Sequence, residues 1–579
     1  MHVKSSYPEL PTCPDTNAYS FLFQRQDQAE WPDFTLTLDP KTGEKHSFRD
    51  FIKRVQYAAT ALATPTSQGG LGVSPENGDI IGIMSENCAD YITLVHACLY
   101  IATPFALISS LSKPLELSHA FKLSKPTCLF VDGKLLPIVL PIAREFGISS
   151  EKIYILSGCT SGRKSLSQLI DETQTRAAEI IPVHHARKDT LAYLIYSSGT
   201  TGLPKAVMIS HGGVIATICQ FIMLGLIARK LQALGVPDSI PRALAFLPMH
   251  HAYGLFAYCW RPSLSPLTMI MMPQWDTDLA LSLIPKYKIT SITLVPAIVH
   301  QLVHHPKTVN TDLSSVVSLS SGAAHLPPQL REKLKTLAPT QTTFMEGYGM
   351  SECTLSAMTH PVSGMLDGTL DRKPGTAGTL VPGMEARILL DDNGTPNGPL
   401  AGPNQVGELW LRGPNLALGY WNNEEATKGT FVDGWLRTGD RFWVDEDEYF
   451  FFADRAKDTL KVSGNQVSPV EIENVLLMHP QKLVQDVTVA GVSGGRTSDE
   501  KVPRAWVVLS SEGKKLGVGK AVKVLDDWHK ENLSKYKWLR GGIEVVKQIP
   551  KSPTGKVLRR ELQERHERGV ESKNVKTKL

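Results

Sequence analysis

Short apolar runs alternate with longer segments of helical pattern along the first two thirds of the chain. The runs at 79–84 (DIIGIM), 127–131 (TCLFV) and 291–295 (SITLV) are continuously apolar, as strands buried on both faces are. Residues 47–62 carry the apolar spacing of one of the intervening helices. This alternation predicts an α/β fold of stacked layers with parallel strands.

The pattern changes near residue 383. Short strand-like segments then alternate with turn clusters such as DDNGTPNG at 391–398, which predicts a small β-rich subdomain over about 383–455. From residue 456 onward strands and helices mix again in a segment of small-domain size. We therefore expect a large N-terminal domain at 1–455, built of layered α/β subdomains plus the β-rich one, and a mobile small α+β C-terminal domain at 456–579. The hinge between them is expected at Lys457.

Composition limits the classes of partner. The 579 residues are enough for more than one hydrophobic core, and 61 basic against 57 acidic residues leave a formal net charge of only +4. Neither nucleic acid nor an anionic membrane is therefore expected as the main partner. The eight cysteines lack the paired spacing of zinc sites or disulfide frameworks, which is typical of reduced intracellular thiols. The longest apolar stretch, 214–228, is interrupted by Thr217 and Gln220, so we predict a buried helix and no transmembrane segment.

The strongest sign of chemistry is the segment YSSGTTGLPKAV at 196–207. Small residues let backbone N–H groups approach phosphate oxygens, hydroxyls add donors, and a lysine adds charge. A loop of this kind predicts binding of a polyphosphate such as ATP through Ser197, Ser198, Gly199, Thr200, Thr201, Gly202 and Lys205. It is not a Walker-type P-loop, since Pro204 precedes the lysine and Ala206 follows it. On composition alone, a flexible surface loop is the alternative.

Four more motifs follow in order: GYGMSE at 347–352, WLRTGD at 435–440, DRAKDTLKVSGNQVSPVEIE at 454–473 and PKSPTGK at 550–556. Together with the first loop they resemble the adenylate-forming superfamily of acyl-CoA synthetases, 4-coumarate:CoA ligases, beetle luciferases and peptide-synthetase adenylation domains. The resemblance covers about 35–565. It implies an enzyme that joins a carboxylic acid to ATP as an acyl adenylate and then transfers the acyl group to a thiol.

The resemblance also implies roles for single residues of the first step. Lys205 would hold the β- and γ-phosphates, Glu352 would bind Mg²⁺, and Ser351 would donate to the α-phosphate. Asp440 would pair with the ribose hydroxyls beside Arg455, and Glu346, Gly347 and Tyr348 would complete the nucleotide site. Lys556 is expected to bridge the substrate carboxylate and the α-phosphate. Lys461 and Gln466 match positions that serve catalysis in 4-coumarate:CoA ligases, although both residue types are also ordinary on a surface.

For the thiol-transfer step, the resemblance implies that the C-terminal domain pivots at Lys457. Ser463 and Gly464 would then line a tunnel for the pantetheine arm of CoA. His251 matches the gating histidine or aromatic residue of acyl-CoA ligases. Two buried histidines with a purely structural role at 250–251 are the alternative.

The acyl pocket is expected to be walled by Tyr253, Ser320, Gly322, Ala323, Glu346, Gly347 and Ser356. The segment LPMHHAYGL at 247–255 lacks the aspartate of amino-acid-activating domains, which argues against an amino acid substrate. Ser320, Gly254 and Glu346 replace the lysine, serine and glutamine of 4-coumarate:CoA ligases. A pocket without those donors has little means to select 4-hydroxycinnamate. Aryl, arylalkanoic and medium-chain fatty acids stay open.

The sequence thus predicts an ATP- and Mg²⁺-dependent carboxylic acid:CoA ligase. The alternatives are transfer to a carrier-protein phosphopantetheine, luciferase-like oxidation, and a non-catalytic nucleotide-binding homologue. The last three residues, Thr577, Lys578 and Leu579, approach the peroxisomal Ser-Lys-Leu address, which suggests an import receptor as partner and a peroxisomal location. A random basic tail and a cytoplasmic location are the alternative.

Overall fold

The computed structural model describes residues 1–197, 204–231, 239–323, 326–390, 394–455, 460–462, 465–467, 469–493, 501–533, 537–552 and 557–576. Its strands form two large sheets, a smaller antiparallel sheet, a two-stranded hairpin and a three-stranded C-terminal sheet.

The first sheet has seven strands, and its central strands are parallel. In spatial order the strands are Gly419–Tyr420, Lys205–Ser210, Leu191–Ser197, Phe105–Leu107, Ile81–Met84, Cys128–Asp132 and Ile153–Ser157. Leu191–Ser197 and Lys205–Ser210 form an antiparallel hairpin in which Ser197 lies opposite Lys205. The ends of the polyphosphate segment are therefore held at the turn of a hairpin.

The second sheet has nine strands, again with a parallel centre. In spatial order the strands are Thr379–Leu380, Met358–Thr359, Thr343–Tyr348, Ser318–Ser321, Ser291–Leu294, Arg242–Ala245, Thr268–Met271, Thr35–Leu38 and Lys45–Ser47. The carboxyl ends of Ser318–Ser321 and Thr343–Tyr348 are neighbours, with Ser321 opposite Glu346. Residues that follow these strands are thereby brought to one edge of the sheet.

The third sheet is antiparallel and combines the extreme N-terminus with the segment predicted to be β-rich. It contains His2–Lys4, Glu385–Leu389, Gly407–Arg412, Trp435–Val444, Phe431–Val432 and Phe450–Arg455. Further along the chain a hairpin pairs Leu460–Val462 with Asn465–Val467, and a separate three-stranded sheet joins Val484–Ser493, Lys501–Leu509 and Ile543–Val545. The first two sheets share one large hydrophobic core, whereas the third sheet and the C-terminal sheet have cores of their own.

Helices cover the sheets and connect their parallel strands. They span Ala18–Phe23, Phe48–Ala63, Ala89–Tyr100, Pro114–Ser124, Leu136–Glu145, Leu166–Thr175, His211–Leu231, Ala252–Leu255, Thr277–Tyr287, Pro296–His304, Pro328–Leu337, Glu424–Thr430, Pro469–Leu477, Ser511–Leu516, Val518–Asn532 and Arg559–Lys576. Ala252–Leu255 continues as a π-helical turn at Phe256–Trp260 and a 3₁₀ turn at Arg261–Ser263. These three pieces form one helical run.

The predicted α/β class is confirmed, and so are the elements named from the sequence. The three apolar runs form Ile81–Met84, Cys128–Asp132 and Ser291–Leu294. The predicted helix is Phe48–Ala63, where the Ser47 hydroxyl caps the first turn by accepting from the Asp50 N–H.

The apolar segment after the polyphosphate loop is the helix His211–Leu231. Its residues from Val214 to Gln220 are buried. Within the described residues it is the one helix long and apolar enough to cross a membrane, but 56% of that stretch is buried inside the protein. A core helix of a soluble protein passes the same test, so this is weak evidence for a membrane span.

Candidate active site

A cavity of about 1600 Å³ opens where the second sheet's carboxyl edge meets the hairpin of the first sheet. Fourteen of the residues singled out from the sequence line it: Ser197, Lys205, His251, Tyr253, Ser320, Gly322, Ala323, Glu346, Gly347, Tyr348, Ser351, Glu352, Ser356 and Asp440. They come from both large sheets and from the third sheet. The fold therefore gathers residues up to 243 positions apart, from Ser197 to Asp440, around one space.

Glu352 lies at the end of this cavity that Ser197 and Lys205 line. Its Oε1 accepts hydrogen bonds from Ser197 Oγ at 3.0 Å and from Tyr420 Oη at 2.9 Å, and the residue is only 5% exposed. Lys205 Nζ stands 4.6 Å from the centroid of the Tyr420 ring. Burial raises the pKa of Tyr420, and the charge of Glu352 raises it further, so the phenol remains a donor. Sequence reasoning missed Tyr420, whose only signal is the segment LGYWNN at 418–423.

This end of the cavity suits a magnesium ion that is also held by a nucleotide. No group of three or more His, Cys, Asp or Glu side chains suited to a metal occurs among the described residues. Mg²⁺ typically takes one or two carboxylates and completes its shell with phosphate oxygens and water. A single buried carboxylate, such as that of Glu352, fits this kind of site.

Asp440 lies on another wall of the cavity. Its Oδ2 accepts a hydrogen bond from Tyr348 Oη at 2.8 Å, and the residue is 4% exposed. The Tyr348 ring packs edge-on against Phe442, with centroids 4.8 Å apart. In the third sheet Asp440 pairs directly with Arg455. The carboxylate is thus held in a fixed orientation, as recognition of a pair of hydroxyls requires.

Glu346 has a partner that the sequence did not reveal. Arg331, on the helix Pro328–Leu337, approaches it with Nε 2.7 Å from Oε2, and both side chains are largely buried. Burial raises the pKa of Glu346 above its ordinary value, and the neighbouring guanidinium opposes that rise. The carboxylate is therefore engaged in an ion pair at the cavity wall. The one available signal was glutamate at a position where 4-coumarate:CoA ligases carry glutamine.

The expected acyl pocket is built around Tyr253. Its Oη donates to Ser320 Oγ at 3.3 Å, and a Cβ added at Gly322 would lie 3.4 Å from its ring. Burial raises the pKa of Tyr253 to about 12. Ser356 is less available, since its hydroxyl donates to the carbonyl oxygen of Met358 at 3.0 Å. The pocket thus offers a pair of hydroxyls bonded to each other, beside the ion-paired Glu346 and apolar side chains such as Phe256.

Two histidines stand next to this pocket. The rings of His250 and His251 are 4.4 Å apart, and burial lowers the pKa of His251 to about 4. Both rings are therefore neutral at physiological pH. A second cavity of about 640 Å³ shares His251, Tyr253, Ala323 and Ser552 with the first and extends to Asp486 and Lys551 near the C-terminal sheet. His251 therefore lies where the two cavities meet.

Several expected site residues lie outside the described residues: Ser198, Gly199, Thr200, Thr201, Gly202, Lys457, Ser463, Gly464, Lys556 and the tail residues Thr577, Lys578 and Leu579. For Arg455, Lys461 and Gln466 the backbone alone is described. Lys461 and Gln466 pair with each other across the hairpin. Ser552, four positions before Lys556, lines both cavities.

Two parts of this chain match known protein families. Residues 23–421 match the AMP-binding enzyme family, and residues 471–556 match the AMP-binding enzyme C-terminal domain. A probable 4-coumarate-CoA ligase 1 from Dictyostelium discoideum is 30% identical, with 92% of each chain covered. The peroxisomal OPC-8:0-CoA ligase 1 of Arabidopsis thaliana is 30% identical over 96% of this chain and 94% of its own.

Among solved structures, an anthranilate CoA ligase in complex with anthranoyl-AMP is similar, with a TM-score of 0.77 at 24% identity over 97% of this chain and 99% of that one. This likeness shows the same fold, a large N-terminal and a small C-terminal domain. The family match extends over more than half of the chain and includes the hairpin, the Glu352 segment and Tyr420. The chain therefore belongs to the AMP-binding enzyme family and is an enzyme of the adenylate-forming superfamily.

Proposed function

We propose that this AMP-forming acid–thiol ligase activates an aryl, arylalkanoic or medium-chain carboxylic acid with ATP and Mg²⁺ and transfers it to CoA. One observation carries the proposal. The Glu352–Ser197–Tyr420 cluster, the Asp440–Tyr348 pair and the apolar pocket at Tyr253 all face the same cavity. Such a cavity can hold the phosphates, the ribose and an acyl group side by side.

In the adenylation step the substrate carboxylate attacks the α-phosphorus of ATP, and pyrophosphate leaves. The reaction brings two anions together, so cations and hydrogen-bond donors must converge on the phosphates. Lys205 and Ser197, together with residues 198–202, would hold the polyphosphate, and Ser351 would donate to the α-phosphate. Glu352 would hold Mg²⁺, which neutralises phosphate charge when bound. Asp440 and Arg455 would orient the ribose, with Gly347 and Tyr348 beside the base.

Lys556 is proposed to bridge the substrate carboxylate and the α-phosphate. The position of Ser552 on the cavity wall supports this, because Lys556 follows it by only four residues. Lys461 and Gln466 are proposed to assist catalysis from their hairpin.

For thioester formation we propose that the domain at 456–579 rotates about Lys457 relative to the domain at 1–455. Ser463 and Gly464 would then line the path of the pantetheine arm. The second cavity supports a route for a thiol to the acyl carbonyl, since it meets the first at His251. A neutral imidazole at this junction can turn aside without the cost of moving a buried charge.

Both relatives are named as CoA ligases, which supports free CoA over a carrier protein as acceptor. A peroxisomal location is also part of the proposal. It rests on Thr577, Lys578 and Leu579 and on the name of the Arabidopsis relative. A fluorescent fusion ending at Leu579 should enter peroxisomes, whereas one lacking these three residues should remain in the cytosol.

The test is pyrophosphate release over a panel of aryl, arylalkanoic and fatty acids, with and without CoA, and with products identified by mass. We expect at least one acid class to give acyl-AMP without CoA and acyl-CoA with it. Formation of acyl-AMP without acyl-CoA would indicate that the acyl acceptor is a carrier protein. Oxidised products formed from the adenylate would favour the luciferase-like reaction. A complete absence of pyrophosphate over the panel would contradict the ligase proposal and favour a nucleotide-binding role.

A further inference from the structure

Beyond Tyr253, the large cavity continues along one face of the helical run that begins at Ala252. The residues of this run that line the cavity include Tyr253, Phe256, Ala257 and Arg261. They are spaced three, one and four positions apart, which places them on one side of a helix. This face is apolar for two turns and then ends in a guanidinium.

The opposite wall is the second half of the helix His211–Leu231. Its cavity-lining residues include Phe221, Ile222, Leu224 and Ala228, and they end in Arg229. The Phe221 and Phe256 rings lie 4.4 Å apart and join the two walls. The space between the two walls is an apolar channel. It runs from the pocket at Tyr253 toward Arg261 on one wall and Arg229 on the other.

The far end of this channel carries excess positive charge. Arg25 donates to Asp27, with Nε 2.9 Å from Oδ1, and also to the carbonyl oxygen of Ser263 at 3.0 Å. The hydrogen bond from Arg25 lowers the pKa of Asp27, and the charge of Arg229 adds to the effect. Two arginines, Arg25 and Arg229, thus act on a single carboxylate, which Arg25 already occupies.

Arg261 is the arginine best placed to meet a ligand. It lines the cavity, and among the described residues its side chain makes no hydrogen bond or ion pair. Burial lowers its pKa, although an arginine remains charged. The side chain is half-buried on the cavity wall. A ligand that supplies an anionic partner there forms a charge-assisted hydrogen bond and gains affinity.

The length of the channel sets the size of such a ligand. Arg261 follows Tyr253 by eight positions. At the α-helical rise of roughly 1.5 Å per residue this is at most about 12 Å, because the π-helical turn at Phe256–Trp260 rises less per residue. Carbon–carbon bonds of about 1.52 Å at angles of about 111° advance roughly 1.25 Å each, so about ten bonds cover this distance. An acyl chain of about ten carbons would therefore reach from the reacting carboxylate to Arg261.

We propose that the preferred acid is a linear chain of about ten carbons with a second carboxylate at its far end, bound by Arg261 and assisted by Arg229. This inference rests on the proposed ligase function and names its substrate class. A purely apolar tunnel would favour the monocarboxylic acid of the same length, since burying a carboxylate without a partner is costly. The two alternatives therefore predict opposite preferences between the diacid and the monocarboxylic acid.

The test compares decanedioic with decanoic acid as substrates for thioester formation. A hydrogen-bonded ion pair at the far end should give the diacid an advantage of about 10- to 100-fold in kcat/KM. Arg261→Met should abolish or reverse this preference. The change should fall mainly on KM, because Arg261 lies far from the reacting carboxylate. Arg261→Lys should restore part of it.

Arg49→Met is the matched control. Arg49 is exposed on the helix Phe48–Ala63, and its side chain has no partner among the described residues. This variant should keep the preference for the diacid unchanged.

A second measurement needs no variant at all. Diacids of six, eight, ten, twelve and fourteen carbons should show an optimum near ten, because the second carboxylate must reach the guanidinium. A flat length dependence would overturn the inference. Equal use of decanoic and decanedioic acid would also overturn it, and so would an equal loss of activity toward both acids in Arg261→Met. None of these results would contradict the ligase function. The absence of thioester from every acid, including short aryl acids, would instead contradict the ligase proposal itself.

Discussion

Tyr420→Phe tests whether the buried cluster at Glu352 is part of the machinery that activates ATP. The substitution removes the Oη that donates to Glu352 Oε1 at 2.9 Å and retains the ring. Lys205 keeps its position 4.6 Å from the ring centroid, and Phe431 keeps its edge contact at 5.9 Å. Little packing is lost, so the main loss is the hydrogen bond to the carboxylate, beside an interaction with the Thr430 side chain.

The expected loss follows from the charge of the acceptor. A hydrogen bond to an ionised group contributes about 1.5 to 3 kcal/mol, more than a bond between neutral groups. If Glu352 holds Mg²⁺ against the phosphates, the orientation of its carboxylate matters most while charge develops on them. We therefore expect kcat/KM for adenylation to fall about 10- to 100-fold, at about 1.4 kcal/mol per factor of ten.

The assay is pyrophosphate release at varied Mg²⁺ concentration. The loss in Tyr420→Phe should shrink when Mg²⁺ is raised, since a misoriented ligand weakens the site without removing it. Tyr100→Phe is the matched control, because its Oη donates to the carbonyl oxygen of Ile181 at 2.6 Å, away from the cavity. Activity of Tyr420→Phe within about threefold of the parent at all Mg²⁺ concentrations would refute the argument.

Three further outcomes are expected. Arg331→Met leaves Glu346 buried without its partner and should cost about 3 to 5 kcal/mol of stability. Without the guanidinium, burial raises the pKa of the Glu346 carboxyl further above its ordinary value, so the ionised form costs stability. The deficit in the urea midpoint should therefore be smallest at low pH and should grow as the pH rises through that pKa. A pH-independent deficit would contradict this, and Glu346→Gln in the same chain should recover part of the loss. Lys556→Ala should reduce adenylation by about 100-fold or more while ATP still binds, and near-normal pyrophosphate release would remove its proposed role. Lys457→Pro should leave adenylate formation intact and block thioester formation, since proline fixes φ at the proposed pivot; equal losses in both steps would argue against a hinge there.

The relation between Glu346 and Arg331 also affects how the pocket is understood. In the sequence Glu346 was only a replacement for the glutamine of 4-coumarate:CoA ligases. In the structure its charge is taken up by a partner 15 positions away, so it adds little free anionic charge to the cavity wall. A second carboxylate on the substrate would therefore meet its cation at Arg261, at the other end of the cavity.

The sequence by itself determined the α/β class, three buried strands, the helix after Ser47 and the residues that belong to motifs. Continuous apolar runs such as 127–131 specify strands buried on both faces, because local pattern and burial agree there. The glycine- and hydroxyl-rich loop and GYGMSE identified the nucleotide chemistry, since the types of residue that approach a phosphate are few. The same reasoning could place Glu352 and Asp440 in motifs, but it could not say what holds them.

The tertiary structure decided the contacts between motifs. Tyr420 reaches Glu352 across 68 positions, and the strand His2–Lys4 joins Glu385–Leu389 across more than 380. Arg261 carries no motif, and it becomes a candidate binding residue only because two helices enclose one channel that ends beside it. Such contacts depend on how separate elements dock on a shared core. Local hydrophobic patterns specify which face of an element is buried, but not which distant side chain it will meet there.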